Sequence, residues 1–347
     1  MMIRFSFSAA RCTLLLTGFL LGGQPGTSHA GTTLDKVKSS GKLSCGLISE
    51  LEEYNKEDRH GALDALGGEI CKAVAVAVLG DGAQVTTKTY PVELEALNGL
   101  AKAEVDLLVG VTPSVSNMAI HGVAFGPPVF YDGQGFMVDK AAGITSMQDL
   151  AGRKVCYIDG TEYQPVVDPI MQARHIAYLP YPFQEEGEMD AALVVRHCDA
   201  ETADISKLAD KRSGFHARAE DFVLLPEILT LDPVAPAYRQ GDAQWAAIVD
   251  WTIYALIQAE ASGITKDSVA HITKSDDLVA QHLLGIDYST AVALGLDHPW
   301  AARVIAAVGN YGEIYDRTTG AASALDLPRG LNALWTQGGL MRPLPVR

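Results

Sequence analysis

Tyr131-Asp132-Gly133-Gln134-Gly135-Phe136, taken with Leu231-Asp232-Pro233-Val234-Ala235-Pro236, sets the architecture of this chain. In the first stretch two glycines open dihedrals closed to other residues, beside an aspartate and aromatics. In the second, two prolines stiffen an extended path. On either side of both, short apolar strands alternate with amphipathic helices, and no internal repeat interrupts them. Lys42–Leu47, Gln84–Thr89, Val105–Val109, Lys154–Ile158 and Phe222–Leu225 read as strands; Gly68–Leu79, Glu93–Lys102, Trp245–Ala261 and Trp300–Asp316 read as helices. If the two stretches cross between the same two bodies, lobe 1 is discontinuous, built from 31–133 and 236–347, and lobe 2 is the continuous segment 134–235. The expected class is therefore α/β with two lobes and two crossover segments. A ligand would bind between the lobes, outside the carboxyl ends of the strands.

The 347 residues are 48% hydrophobic and 20% charged, which suits about two globular α/β domains. Residues 1–30 form a separate object. Arg4 and Arg11 make a basic start, Leu14 to Leu21 an apolar run, and Ser28-His29-Ala30 a small-x-small cleavage site, so this segment is expected to be a secretory signal peptide removed before Gly31. Gly22-Gly23-Gln24-Pro25-Gly26 cuts the run below the roughly 20 residues a membrane helix needs. Cys12 precedes the apolar run and follows Arg11, which argues against a lipoprotein signal. The formal charge of −15 becomes −17 once Arg4 and Arg11 leave. Nucleic acid and anionic lipid are poor partners for such a surface, and no direct membrane insertion is expected after cleavage.

In an oxidising compartment the four remaining cysteines, Cys45, Cys71, Cys156 and Cys198, are disulfide candidates, and three pairings are open. Cys45 lies on a candidate strand with Cys71 on the helix after it, whereas Cys156 and Cys198 share the middle of the chain. We prefer Cys45–Cys71 and Cys156–Cys198, one bridge per lobe. Without CxxC or HExxH spacing, neither metal nor cofactor is expected.

Several ordered segments carry a resemblance: TLDKVKSSGKLSCGL (33–47), FYDGQGFMV (130–138), GRKVCYIDGTE (152–162), LPEIL (225–229), RQGDAQWAAIVDWTIYALIQAE (239–260), GNYGEIYDR (309–317) and RGLNALWTQGGL (329–340). The chain resembles the periplasmic solute-binding proteins of polar amino-acid ABC transporters (family 3), and within them the general L-amino acid binding proteins. The resemblance implies a two-lobe periplasmic-binding-protein (Venus flytrap) fold that closes on a small molecule and delivers it to an inner-membrane ABC permease.

Amino-acid recognition demands a planar cation for the α-carboxylate and an anion for the α-ammonium. The family loop G-x-T-x-[ST]-x-x-R supplies the cation. Here Gly110, Thr112 and Ser114 fit, but Asn117 stands where the arginine belongs. Removing a cation that pairs a buried carboxylate costs about 3–5 kcal/mol. The family's G-T-T turn, which holds the carboxylate at a helix start, reads Gly160-Thr161-Glu162, and a glutamate repels a ligand carboxylate. Asp204 matches the aspartate that receives the ammonium, Tyr54 the aromatic that covers the ligand, and Gly67 replaces an acidic residue common beside it.

Three readings follow. The cleft has exchanged positive for negative charge and prefers an amine or cationic derivative held by Asp204 and Glu162 over Tyr54; or Arg153 or Arg59 replaces the lost arginine and an amino acid still binds; or small-ligand binding has been lost and the protein is a flytrap-shaped accessory or sensor that docks a protein partner. The acidic run Glu50, Glu52 and Glu53 lines the cleft mouth or a solvated loop, and His60 and His121 read as surface residues. No nucleophile motif such as GxSxG occurs, and an enzyme is not expected.

Overall fold

The structure, a computed structural model, describes residues 32–48, 62–272, 278–285 and 289–346. The candidate leader, Tyr54, and Glu50, Glu52, Glu53, Arg59 and His60 around it lie outside the described residues.

The chain opens with α1 (Thr32–Ser40), β1 (Lys42–Ile48), α2 (Asp64–Leu79), β2 (Gln84–Tyr90), α3 (Glu93–Ala101), β3 (Leu107–Val111), α4 (Val115–His121), β4 (Val123–Phe125) and β5 (Phe130–Asp132). A second run follows: β6 (Gln134–Asp139), β7 (Lys154–Ile158), α5 (Tyr163–Ala173), β8 (Leu179–Phe183), α6 (Glu186–Val194), β9 (Ala200–Asp204), α7 (Ile205–Gly214) and β10 (Phe222–Leu224). Then come β11 (Asp232–Arg239), α8 (Ala243–Ala261), α9 (Leu278–Leu283), α10 (Ser289–Leu294), α11 (Trp300–Val308) and α12 (Tyr311–Thr318).

Two mixed sheets result, ordered β2-β1-β3-β11-β4 with β5 on β11, and β10-β6-β9-β7-β8. In the first, β1 pairs in parallel with β2 and β3 while β11 returns antiparallel; in the second, β7 pairs in parallel with β8 and β9 while β6 runs antiparallel. The first sheet draws its strands from both ends of the chain and the second only from the middle. The crossing segments are themselves strands, and they pair with each other: Asp232 lies opposite Asp132, and Val234 opposite Phe130. The ladder shifts between Ala235 and Pro236, since a proline nitrogen has no proton to donate.

Apolar periodicity explains the larger core. In α2 the run Ala73 to Val78 is buried throughout, packed against β1, α8, α11 and α12. Helix α8 starts where Asp242 accepts the Trp245 N–H at 3.0 Å, two residues before the expected Trp245, and buries that indole with its Nε1 on the Asp106 carbonyl. The helix expected over Trp300–Asp316 is two helices. Gly309 adopts a left-handed φ of 78°, and Asn310 and Glu313 cap each other's backbone, restarting the chain at Tyr311. Strand β3 begins at Leu107, later than the expected Val105, because the Asp106 carboxylate is held by Lys36 and the Ser44 N–H.

The preferred disulfides are formed. Cys45 of β1 joins Cys71 of α2, Cα atoms 6.2 Å apart, and Cys156 of β7 joins Cys198 before β9, 6.0 Å apart. Beyond the strands, Arg212 of α7 donates to the Leu325 carbonyl at 2.5 Å, and Asn332 grips Tyr131 by accepting its N–H and donating to its C=O. The C-terminal segment thus braces the crossing strand.

Candidate functional site

Tyr90, Val111, Ile158 and Asp204 end β2, β3, β7 and β9, and every described site residue lies at such a carboxyl end or within a few residues of it, mostly in the loop beyond. Val111 sits opposite Ala235 on β11, and Asp204 opposite Gln134 on β6, so the two groups of residues flank the crossings from opposite sides.

On the first side, Gly110, inside β3 one residue before its end, takes a φ of 107°, a backbone conformation that favours glycine. Ser114 caps α4, its Oγ accepting the Asn117 N–H at 3.0 Å and lying 3.1 Å from Ser116 Oγ. The Asn117 amide is engaged: Nδ2 donates to Glu93 Oε1 at 2.6 Å. The other oxygen of Glu93 accepts the Thr112 N–H at 3.4 Å. Sequence reading took Glu93 only as the start of a helix and missed this pairing, which depends on how β2 and β3 bring α3 beside α4.

On the second side, Thr161 Oγ1 donates to the Ile158 carbonyl at 2.6 Å, closing the turn after β7. Glu162 is exposed and makes no capping hydrogen bond to α5. The next residue, Tyr163, donates its hydroxyl to Asp204 Oδ2 at 3.1 Å, a contact the sequence reading also missed. Gln134 fixes the tyrosine from below, its Nε2 donating to the Tyr163 carbonyl and to Thr202 Oγ1, each at 2.9 Å.

Asp204 precedes α7 yet does not cap it. Asp132 does that work instead: its carboxylate accepts the Ser206 N–H at 3.2 Å, the Ser206 hydroxyl, and the Gly133 N–H at 2.9 Å. Asp204 is left facing the crossing. Burial, with the charge of Asp132 nearby, pushes its pKa up to about 6, and the Tyr163 hydrogen bond only partly opposes this. Asp132 is itself raised by burial, against the bonds from Ser206 and Gly133. A carboxyl in this state favours a cation as partner.

Arg153, one candidate for replacing the arginine, lies away from the loop at Thr161. It precedes β7, at the end opposite Thr161, and pairs with Asp199 at 3.5 Å. A five-residue strand separates the two ends by about 15 Å. Gly67 packs against β1: a Cβ there would stand 2.8 Å from Leu47 Cδ2, so a larger residue requires the Leu47 side chain to shift. His121 ends α4, partly exposed.

Two α/β bodies joined by paired crossing strands, with polar loops at strand carboxyl ends on both sides, define a two-lobed solute-binding protein. No family model matches the chain. It is 38% identical over 323 residues to the glutamate/glutamine/aspartate/asparagine-binding protein BztA of Rhodobacter capsulatus, covering 92% of this chain and 94% of that protein. It is likewise 38% identical to the general L-amino acid-binding periplasmic protein AapJ of Rhizobium johnstonii, over 92% and 94% of the two chains. Among solved structures, a periplasmic binding protein from Brucella ovis with glutathione bound matches with a TM-score of 0.75 and 37% identity, over 91% of this chain and 99% of that one. The chain belongs to the periplasmic amino-acid-binding proteins of ABC transporters. Among the described residues no helix is long and apolar enough to cross a membrane.

Proposed function

We propose that this substrate-binding protein takes its ligand through an ammonium group on Asp204, and that the ligand is an amine or cationic amino-acid derivative. The observation carrying this reading is the engagement of Asn117 by Glu93 on the loop where the family resemblance calls for a free guanidinium. That side of the cleft offers a carboxylate where an amino acid needs a cation, while Asp204, raised by burial beside Asp132, favours a positive charge. Residues 1–30 would direct export to the periplasm. The bodies 31–133 with 236–347 and 134–235 would close about the paired crossings and present the loaded protein to an inner-membrane permease.

A second reading, that the ligand is a peptide such as glutathione, which carries an ammonium and two carboxylates, has one observation behind it: the Brucella ovis protein is bound to glutathione. The relatives are binding proteins by name, which disfavours the accessory reading and an enzyme alike. The test is a thermal-shift and calorimetric panel of amino acids, their decarboxylated amines and glutathione. The reading expects the amines to bind more tightly than the parent amino acids; tight binding of free glutamate or glutamine with no response to amines refutes it.

A further inference from the structure

Glu93 raises a question that its place in the fold does not answer. As the first residue of α3 it has an ordinary role, an acid in the favourable first turn of a helix. A helix-end acid needs nothing more. Yet this side chain turns toward the next strand's loop, and both its oxygens are used there, Oε1 on the Asn117 amide and Oε2 on the Thr112 N–H. Within the same loop Ser114 Oγ accepts the Asn117 N–H and lies beside Ser116 Oγ. A carboxylate straddling one side-chain donor and one backbone donor, on a loop beside the crossing strands, has the form of a bound ligand's carboxylate.

We infer that Glu93 is a built-in surrogate for the ligand carboxylate: it fills the donors of the loop and determines specificity by excluding a second carboxylate from them. The inference rests on the ligand class proposed above and extends it by naming the residue that enforces it. A ligand carboxylate entering here must displace Glu93 from both donors or sit against its charge. A ligand without one meets acceptor oxygens, those of Glu93 and Asn117 Oδ1, matched to N–H groups.

Matched pairs differing only in the α-carboxylate test this: L-glutamate against 4-aminobutyrate, and L-arginine against agmatine. Calorimetry on wild type, Glu93→Ala and Glu93→Gln gives the ratio of dissociation constants within each pair. Glu93→Ala is expected to move the ratio toward the amino acid by about tenfold or more. Glu93→Gln should move it less, about threefold to tenfold, since the amide still accepts from Asn117 but brings no charge. A helix-end role would lower the thermal midpoint and leave the ratio alone. Should Glu93→Ala fail to fold by circular dichroism, the isosteric Glu93→Gln decides. Where wild type binds neither member of a pair, gain of the amino acid in either variant supports the inference, and no gain in a folded variant overturns it. Ratios unchanged within about twofold overturn it as well. A wild type that prefers the amino acid refutes the ligand class above and leaves this test intact, because the ratio must still shift when Glu93 is changed.

Discussion

Ligand affinity should follow the ionisation of Asp204, and the size of the effect can be worked from the site. Burial and the neighbouring Asp132 raise its pKa to about 6, against about 3.9 in an unfolded chain. The sign follows from linkage. Between those values the folded protein binds the extra proton, so stability is greatest below the unfolded pKa and falls as pH rises through about 6. An ammonium ligand reverses the preference, because it requires the ionised carboxylate. About one-tenth of the protein is ionised at Asp204 at pH 5 and about nine-tenths at pH 7, so affinity should strengthen roughly tenfold across that window, about 1.3 kcal/mol. At pH 5 each binding event should release close to one proton, which calorimetry in buffers of different ionisation enthalpy counts. Asp204→Asn should flatten the profile and weaken binding by about 2–3 kcal/mol, less than for a fully buried pair because the site is partly open. Asp250, also pushed up to about 6 by burial, titrates in the same window but bonds Tyr238 in the first body. It therefore serves as the internal control: pH dependence of binding that survives in Asp204→Asn would refute the assignment of the ammonium to this residue.

The clamp can be rebuilt: Asn117→Arg with Glu162→Thr should create or strengthen binding of free amino acids, and adding Glu93→Ala should raise it by a further non-additive step of about 0.5–3 kcal/mol, since the guanidinium would otherwise pair with Glu93. Strict additivity in that calorimetric cycle would show that positions 93 and 117 do not interact. Lys211, buried, is held by Asp190 at 3.0 Å and by the fully buried Glu201 at 2.7 Å. Lys211→Met should cost about 3–5 kcal/mol at pH 7.5 by urea unfolding, and less at pH 5, where Glu201, its carboxyl raised by burial, takes up a proton; a loss below about 1 kcal/mol would be inconsistent with an uncompensated carboxylate. Replacing Cys156 and Cys198 by alanine should cost about 4 kcal/mol for a loop spanning 42 residues, and reduction with dithiothreitol should lower the thermal midpoint similarly. Mass spectrometry of the secreted protein should find Gly31 at its start; a retained leader would contradict the export proposal.

Much of the architecture was legible because it rests on patterns local to each segment. Strand Lys154–Ile158 was read with its boundaries intact, and both disulfides followed from placing Cys45 and Cys71 on consecutive elements and Cys156 and Cys198 in one stretch. Trp300–Asp316 was read as one helix because its apolar spacing runs on through Gly309-Asn310, and the stop depends on a reciprocal cap between Asn310 and Glu313. The crossings drew attention through glycine and proline, but nothing in either segment alone says that they pair with each other, Asp132 opposite Asp232.

The site was legible only as far as one chain position can be judged by its own side chain. Asn117 and Glu162 stood out as substitutions of charge, yet what they do depends on neighbours distant in sequence. By itself Asn117 shows only an amide in place of a cation; in the structure Glu93, 24 residues earlier, accepts its side-chain N–H. Asp204 was singled out by its place in a motif, but its raised pKa comes from partial burial and then from Asp132, 72 residues earlier, which takes the capping role on α7 and leaves Asp204 with Tyr163 as its neutral partner. Charge preference in such a cleft is a property of pairs, so the decisive measurement is a cycle across a pair, 93 with 117, and not the loss of any one residue.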